Sequence, residues 1–288
     1  MNYEITGTTK LTALLGSPVS HSISPQMHNE SFRLLGLDYV YLAFDIKPGQ
    51  LREAVSGLKA AGICGFNLTM PLKVHILPYL DELTPAASLA GAVNTVIVQE
   101  GRLIGHTTDG AGYMRSVSDA GFDITGKKMT LLGAGGAATA ICVQAALDGV
   151  SSIDMFKRKN ETWDKTAAFC ERVASETGCN VRLLDIGDSG LLADSISGSA
   201  ILTNATSVGM EPKSDASPVP DPSMLAQGLI VSDIIYNPRE TLLMKQAKER
   251  GCPCFNGMYM LLYQGAAAFE CWTGQEMPTG IIKEKYFS

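Results

Sequence analysis

The sequence predicts an α/β protein made of two units, on three observations. Short apolar runs alternate with amphipathic stretches in β-α-β order, and the series starts afresh near residue 129. A glycine-rich segment, G-A-G-G-A-A at 133–138, separates a strand-like run from a helix-like one. The chain has 288 residues, and at about 150 residues per domain that is room for two.

Taken in order, residues 11–16 form an apolar run of strand length. Residues 25–35 read as a helix, with Pro25 at its first position and Ser24 as its N-cap. Residues 39–44 are a strand, 50–61 an amphipathic helix, and 64–68 and 93–99 two more strands. This order favours a largely parallel sheet with helices on its faces. Residues 108–121 read as a helix leaving that unit. The second series has a strand at 129–132, a helix at 137–147 closed by Gly149, a strand at 151–156 and a helix at 163–176. Strands follow at 181–185, 200–205 and 229–235, with a Pro/Ser-rich loop at 212–222. Residues 258–269 are apolar but interrupted by Gln264, the pattern of a core helix. The expected domains are 1–108 joined by 257–288, and 109–256.

Composition excludes several classes. With 45% hydrophobic and 18% charged residues the chain can build a packed core, which rules out disorder. A net charge of −6 argues against a general nucleic-acid or anionic-membrane binder. No stretch approaches the ~20 apolar residues of a membrane span. The first ten residues contain Glu4 and Lys10 and no apolar run of signal-peptide length, so a cytoplasmic protein is expected. Seven cysteines, of which only Cys252 and Cys254 are close, read as small apolar residues in a reducing compartment. With His21, His28, His75 and His106 scattered, no metal site is expected.

The glycine segment is G-x-G-x-x-A, directly after a strand and opening a helix. Gly133 permits the tight turn, Gly135 lets a pyrophosphate approach the backbone, and Ala138 allows close helix–strand packing. The amides and positive dipole end of the helix complete a phosphate cradle from Gly133, Ala134, Gly135, Gly136 and Ala137. A turn without ligand and an S-adenosylmethionine loop are the alternatives. A dinucleotide site needs a reader for the adenosine ribose at the end of the next strand. Lys157, Arg158 and Lys159 stand there, which suits a 2′-phosphate and hence NADP. The competing reading is a solvated basic turn. Asp154 falls within the strand and is discounted.

The first unit carries four polar strings: H-S-I-S-P at 21–25, N-L-T-M-P-L-K at 67–73, G-A-V-N-T at 91–95 and T-T-D-G at 107–110. Capping accounts for Ser24 but not for Ser22, whose hydroxyl suits a substrate carboxylate. Strand ends of parallel sheets are where ligands bind. Lys73 at a helix start is poorly placed for the helix dipole, which raises its interest.

These strings, with G-A-G-G-A at 133–137, N-A-T-S-V-G-M at 204–210, Tyr236-Asn237-Pro238 and Gln264-Gly265, match in order and spacing over essentially the whole chain. In them the chain resembles the shikimate dehydrogenase family, including its quinate/shikimate branch. The resemblance implies an N-terminal substrate domain and a Rossmann-like dinucleotide-binding domain. The implied reaction is nicotinamide-dependent, reversible reduction of 3-dehydroshikimate to shikimate in aromatic amino-acid biosynthesis. Lys73 and Asp109 would be the catalytic pair, acting with Lys73 alone as acid and base or as a coupled unit. Ser22, Ser24 and Tyr236 would bind the carboxylate, and Asn67, Thr69, Asn94, Asp109 and Gln264 the ring hydroxyls. Asn204, Thr206, Met210 and Gly257 would join the glycine loop and basic turn around the cofactor.

The chain departs from the family pattern in places. Thr107 replaces an Asn, Tyr259 replaces a glycine near the nicotinamide, and the basic turn keeps Arg158 but has Lys157 and Thr162 at the other positions. NADP and NAD therefore both stay open, with dual use allowed and no metal needed. Quinate oxidation and a non-catalytic quinate or shikimate sensor are the competing functions. A monomer or homodimer with a small-molecule substrate is expected.

Overall fold

The computed structural model describes residues 4–287. It divides into two compact units, Met1–Gly112 with Leu262–Ser288, and Tyr113–Leu261. The division falls inside two helices, whereas the boundaries expected from the sequence stand just ahead of each.

In the first unit the elements run β1 (Lys10–Gly16), α1 (Ser24–Leu35), β2 (Tyr39–Asp45), α2 (Leu51–Ala60), β3 (Gly65–Leu68), α3 (Leu72–His75), β4 (Glu82–Leu83), α4 (Pro85–Ala90), β5 (Thr95–Gln99) and β6 (Arg102–His106). The sheet order is β2-β1-β3-β5-β6-β4. The first three strands are parallel, but β5 runs antiparallel to both β3 and β6. A two-residue turn at Glu100 and Gly101, both at positive φ, closes the β5–β6 hairpin. This reversal matters for position. The ends of β1, β3 and β6 and the start of β5 all lie at one edge of the sheet, so each polar string arrives there. Leu15, Phe66, Leu72, Val93 and Val96 are among the buried side chains of its core.

α5 (Asp109–Asp119) comes after β6. The second unit continues with β7 (Lys128–Leu132), α6 (Gly136–Leu147), β8 (Ser152–Lys157), α7 (Trp163–Thr177), β9 (Asn180–Asp185), α8 (Ser189–Ser197), β10 (Ile201–Asn204), β11 (Ile230–Asp233), α9 (Leu242–Glu249) and β12 (Cys254–Phe255). All its pairings are parallel, in the order β12-β11-β10-β7-β8-β9. Counted from β7 this is the doubly wound order whose crevice opens where the winding reverses, between β7 and β10. α10 (Met258–Thr273) and α11 (Thr279–Tyr286) end the chain. Leu132, Leu202, Val231 and Leu243 belong to the core of this sheet.

The sequence pattern does not predict β4, β6, β12, α4, α8, α9 or α11. One cap also differs: Ile23, not Ser24, is the N-cap of α1, and Ser24 is its first helical residue. Among the described residues no helix is long and apolar enough to cross a membrane, and no group of three or more His, Cys, Asp or Glu is placed to hold a metal ion.

Candidate active site

Lys73 and Asp109 are 36 positions apart, and the sheet edge brings them into contact. Lys73 Nζ donates to Asp109 Oδ2 at 2.5 Å. Lys73 sits in α3, a single turn after β3, which explains its poor fit to a helix dipole: this helix is too short for one to build. Its side chain is one quarter exposed while that of Asp109 is 8% exposed, so the lysine is the more accessible member of the pair. Asp109 opens α5, where the helix dipole favours a negative charge.

Asn94 ties this pair to the rest of the edge. Its Nδ2 donates to Asp109 Oδ1 and Thr108 Oγ1, both at 2.9 Å, and to Gln264 Oε1 at 3.2 Å. Its Oδ1 accepts the Thr108 amide at 2.7 Å. Gln264 arrives on α10, which approaches α5 closely: a Cβ on Gly112 would lie 2.5 Å from the Gln264 nitrogen. Asn67 is buried with its amide already engaged. Both protons of Nδ2 go to Asn94 O and Thr95 Oγ1, and Oδ1 accepts the Tyr41 hydroxyl at 2.8 Å. Towards a ligand hydroxyl Asn67 therefore offers only an acceptor lone pair.

Thr69 leaves β3 beside the end of β1, where a Cβ on Gly16 would meet Thr69 Cγ2 at 2.2 Å. Ser22 is half-buried and its Oγ accepts the Ser24 amide at 3.2 Å, so the local turn bond belongs to Ser22. Ser24 is buried. Thr107, the departure beside Asp109, is buried as well.

Thr95, Thr108, Tyr41 and His28 also line or support this edge, and sequence reasoning assigns them no role. Thr95 and Thr108 lie within the polar strings, but Tyr41 and His28 carry no signal of their own. His28 is fully buried, stacked on Tyr41 with ring centroids 4.3 Å apart. Burial pulls it down to about 3, so it is neutral at ordinary pH.

In the second unit Gly133 has φ +114°, and a Cβ there would lie 2.6 Å from Ala205 O, so only glycine fits. Gly135, exposed and with open space around its Cβ position, is the N-cap of α6 and supplies no side-chain cap. The first amides of α6, from Gly136 and Ala137, are thus presented beside Gly135 and the half-buried Ala134, as phosphate binding requires. Ala138 is fully buried against the sheet.

The basic turn is not three free cations. Lys157 is buried, and its ammonium donates to Asn160 Oδ1 at 2.6 Å and to the Thr162 hydroxyl. Lys159 lies 4.0 Å from Asp185 Oδ2 and over the Trp163 ring. Arg158 is exposed, with no hydrogen bond or ion pair among the described residues. Asp154 is buried in β8; burial raises its carboxyl, but bonds from Arg182, Lys128 and Ser195 prevail and hold it at about 2.

Asn204 ends β10 fully buried, with its side chain bonded to Asp233, Thr206 and Val208. Thr206 is half-buried and Met210 exposed. A Cβ on Gly257 would lie 1.9 Å from Ile234 O, so backbone packing alone demands glycine there. Tyr236 is 42% exposed just past β11.

Comparison with known proteins places the chain among relatives of one family. Residues 14–96 match the family model of the shikimate dehydrogenase substrate binding domain, and residues 257–285 that of the shikimate 5′-dehydrogenase C-terminal domain. The chain is 52% identical over 283 residues to a shikimate dehydrogenase (NADP(+)) of Listeria monocytogenes, covering 98% of this chain and 97% of the relative. It is 45% identical to the protein of that name from Streptococcus uberis, over 100% and 99% of the two. A crystal structure of shikimate 5-dehydrogenase from Listeria monocytogenes in complex with shikimate and NAD superposes with a TM-score of 0.94 at 51% identity, covering 99% of this chain and 98% of that one.

Proposed function

This chain belongs to the shikimate dehydrogenase family, and from that premise we propose how its residues carry out the reversible reduction of 3-dehydroshikimate to shikimate with NADP or NAD. The observation that carries the assignment of roles is the contact of Lys73 with Asp109, gathered with Asn94 and Gln264 at one sheet edge. The first unit holds the substrate and the second the dinucleotide.

We assign Lys73 as the group that gives a proton to the carbonyl oxygen, and removes it from the hydroxyl in the reverse direction. Its ammonium has three donors, of which Asp109 engages one, so two remain for the substrate oxygen. Asp109, itself held by Asn94, keeps Lys73 aimed and compensates its charge. Asn67, Thr69, Asn94 and Gln264 bind ring hydroxyls, and Ser22, Ser24 and Tyr236 the carboxylate.

The glycine turn fits a dinucleotide: its Cβ-free approach at Gly133 and the uncapped start of α6 leave amides for a pyrophosphate. When bound, the nicotinamide supplies or takes the hydride. Arg158, with Lys159 beside it, is the group placed to meet a 2′-phosphate, while Lys157 shapes the turn. The relatives named for NADP and the relative solved with NAD support use of either. The same relatives do not favour quinate as the substrate. Seven free thiols support a reducing, cytoplasmic setting.

The test is Lys73→Met under steady-state turnover of shikimate and quinate with NADP+ and NAD+. We expect kcat to fall by about a hundred- to ten-thousandfold with little change in the KM for shikimate. A rise in KM alone would make Lys73 a binding residue and end this mechanism.

A further inference from the structure

We propose that Asp233 is a positioning residue for the dinucleotide: it sets the orientation of the Asn204 amide and, through it, the 205–209 loop that abuts the Gly133 turn. The proposal rests on the reading that the second unit holds the dinucleotide.

Asn204 and Asp233 are register partners at the ends of the adjacent parallel strands β10 and β11, and both are fully buried. A carboxylate only accepts hydrogen bonds. Asp233 takes Asn204 Nδ2 at 3.1 Å on each oxygen, Thr241 Oγ1 at 2.8 Å on Oδ2, and the Ile235 amide at 3.0 Å on Oδ1. Asn204 must therefore turn its Nδ2 inward and its Oδ1 towards the loop.

That orientation folds the loop. Asn204 Oδ1 accepts the Thr206 amide at 3.0 Å and the Thr206 hydroxyl at 2.7 Å. The same hydroxyl accepts the Val208 amide at 3.1 Å, and Asn204 Nδ2 donates to Val208 O at 3.2 Å. A reversed amide would set Nδ2 against the Thr206 N–H and Oδ1 against the carboxylate, losing the bonds that Asn204 makes to both. The loop so folded carries Ala205, whose amide donates to Leu132 O and whose carbonyl lies against Gly133. Asp233 thus acts at a distance on the wall of the glycine turn, at the edge where the sheet's winding reverses.

The test is titration of wild type and Asp233→Asn with NADPH and NADH, followed by cofactor fluorescence, with shikimate binding and full kinetics in parallel. Asparagine keeps the size but turns one acceptor into a donor facing Asn204 Nδ2 and, with it, either the Ile235 N–H or the Thr241 hydroxyl. We expect the dinucleotide dissociation constant and KM to rise about tenfold, with kcat at saturation and the KM for shikimate kept. Thr241→Ser, which keeps both the donor to the carboxylate and the cap of α9, should bind cofactor like wild type, and Thr241→Val, which loses both, more weakly without loss of shikimate affinity. That pair carries the test if Asp233→Asn does not fold. Unchanged cofactor affinity in Asp233→Asn, an equal loss of cofactor and shikimate affinity, or equal weakening by Thr241→Ser and Thr241→Val would overturn the proposal. Wild type that binds neither dinucleotide would instead remove the reading beneath it.

Discussion

At the scale of single residues, the site is governed by which lone pairs and protons the protein has already used. Asn67 is the clearest case, because its orientation is set by the Tyr41 hydroxyl on one side and by Asn94 O and Thr95 Oγ1 on the other. Tyr41 is buried, and burial pushes its phenol up, so it remains a neutral donor. Tyr41→Phe removes that donor together with the hydroxyl's hydrogen bond to Ser24. We expect the KM for shikimate to rise a few-fold while kcat holds, with a stability loss of about 1 kcal/mol by denaturant unfolding. An unchanged KM would mean that Asn67 is oriented without Tyr41. The string N-L-T-M-P-L-K marks Asn67 and Thr69 in the sequence, but nothing in Y-V-Y-L-A-F-D singles out Tyr41 over Tyr39. Strand alternation puts both on one face, and only the fold decides that Tyr41 meets Asn67.

At the scale of elements, close approach of backbones brings the parts together. α5 and α10 meet at Gly112, where a Cβ would fall within 2.9 Å of three atoms of Gln264. Gly112→Ala must push the two helices apart and carry Gln264 away from Asn94. Overpacking of this kind costs about 1–3 kcal/mol. We expect a lower Tm and a raised KM for shikimate, against a Gly280→Ala control in α11 whose Cβ meets nothing and whose Tm should hold or rise. α1 and α7 are legible in the sequence because apolar residues recur along one face among polar ones, and α6 because it is apolar throughout. The helices it does not reveal are short, and three of them are marked only by their caps. Thr84, Asp188 and Thr241 each accept a backbone amide at the start of α4, α8 and α9. β6 is hidden because Arg102 and Gly105 interrupt its apolar pattern, and with it the hairpin that reverses β5.

For the molecule as a whole, acid stability follows from two buried groups, one in each unit. His28 titrates at about 3 in the folded chain against an ordinary 6.5. As pH falls below the ordinary value, the unfolded chain takes a proton that the folded chain refuses. Stability is therefore lost from there downward until His28 itself titrates, at about 1.4 kcal/mol per pH unit from this group. Asp154, held at about 2, adds a contribution that is full above the ordinary carboxylate range and fades as pH falls towards that value. His28→Leu should flatten the pH dependence of urea unfolding between about pH 7 and pH 5. An identical slope in the variant would show that other groups set it.

Two classes of information thus separate. The sequence alone determined the α/β class, the two series of elements, the glycine turn and the residue types that chemistry requires, because these follow from periodicity and from local backbone demands. Gly133 at positive φ and Lys73 beside the polar strings belong to this class. Tertiary structure decided which of those groups meet and which are spoken for. Lys157 turns inward to Asn160, leaving Arg158 and Lys159 as the outward cations; Asn204 is consumed by Asp233 and Thr206; and Asp109 reaches Lys73 through an antiparallel strand inside an otherwise largely parallel sheet. Asn204 with Asp233 and Lys73 with Asp109 are far apart along the chain, and such groups meet only once the strands have chosen their order, whereas Lys157 with Asn160 and Asn204 with Thr206 are local bonds that no periodicity reveals.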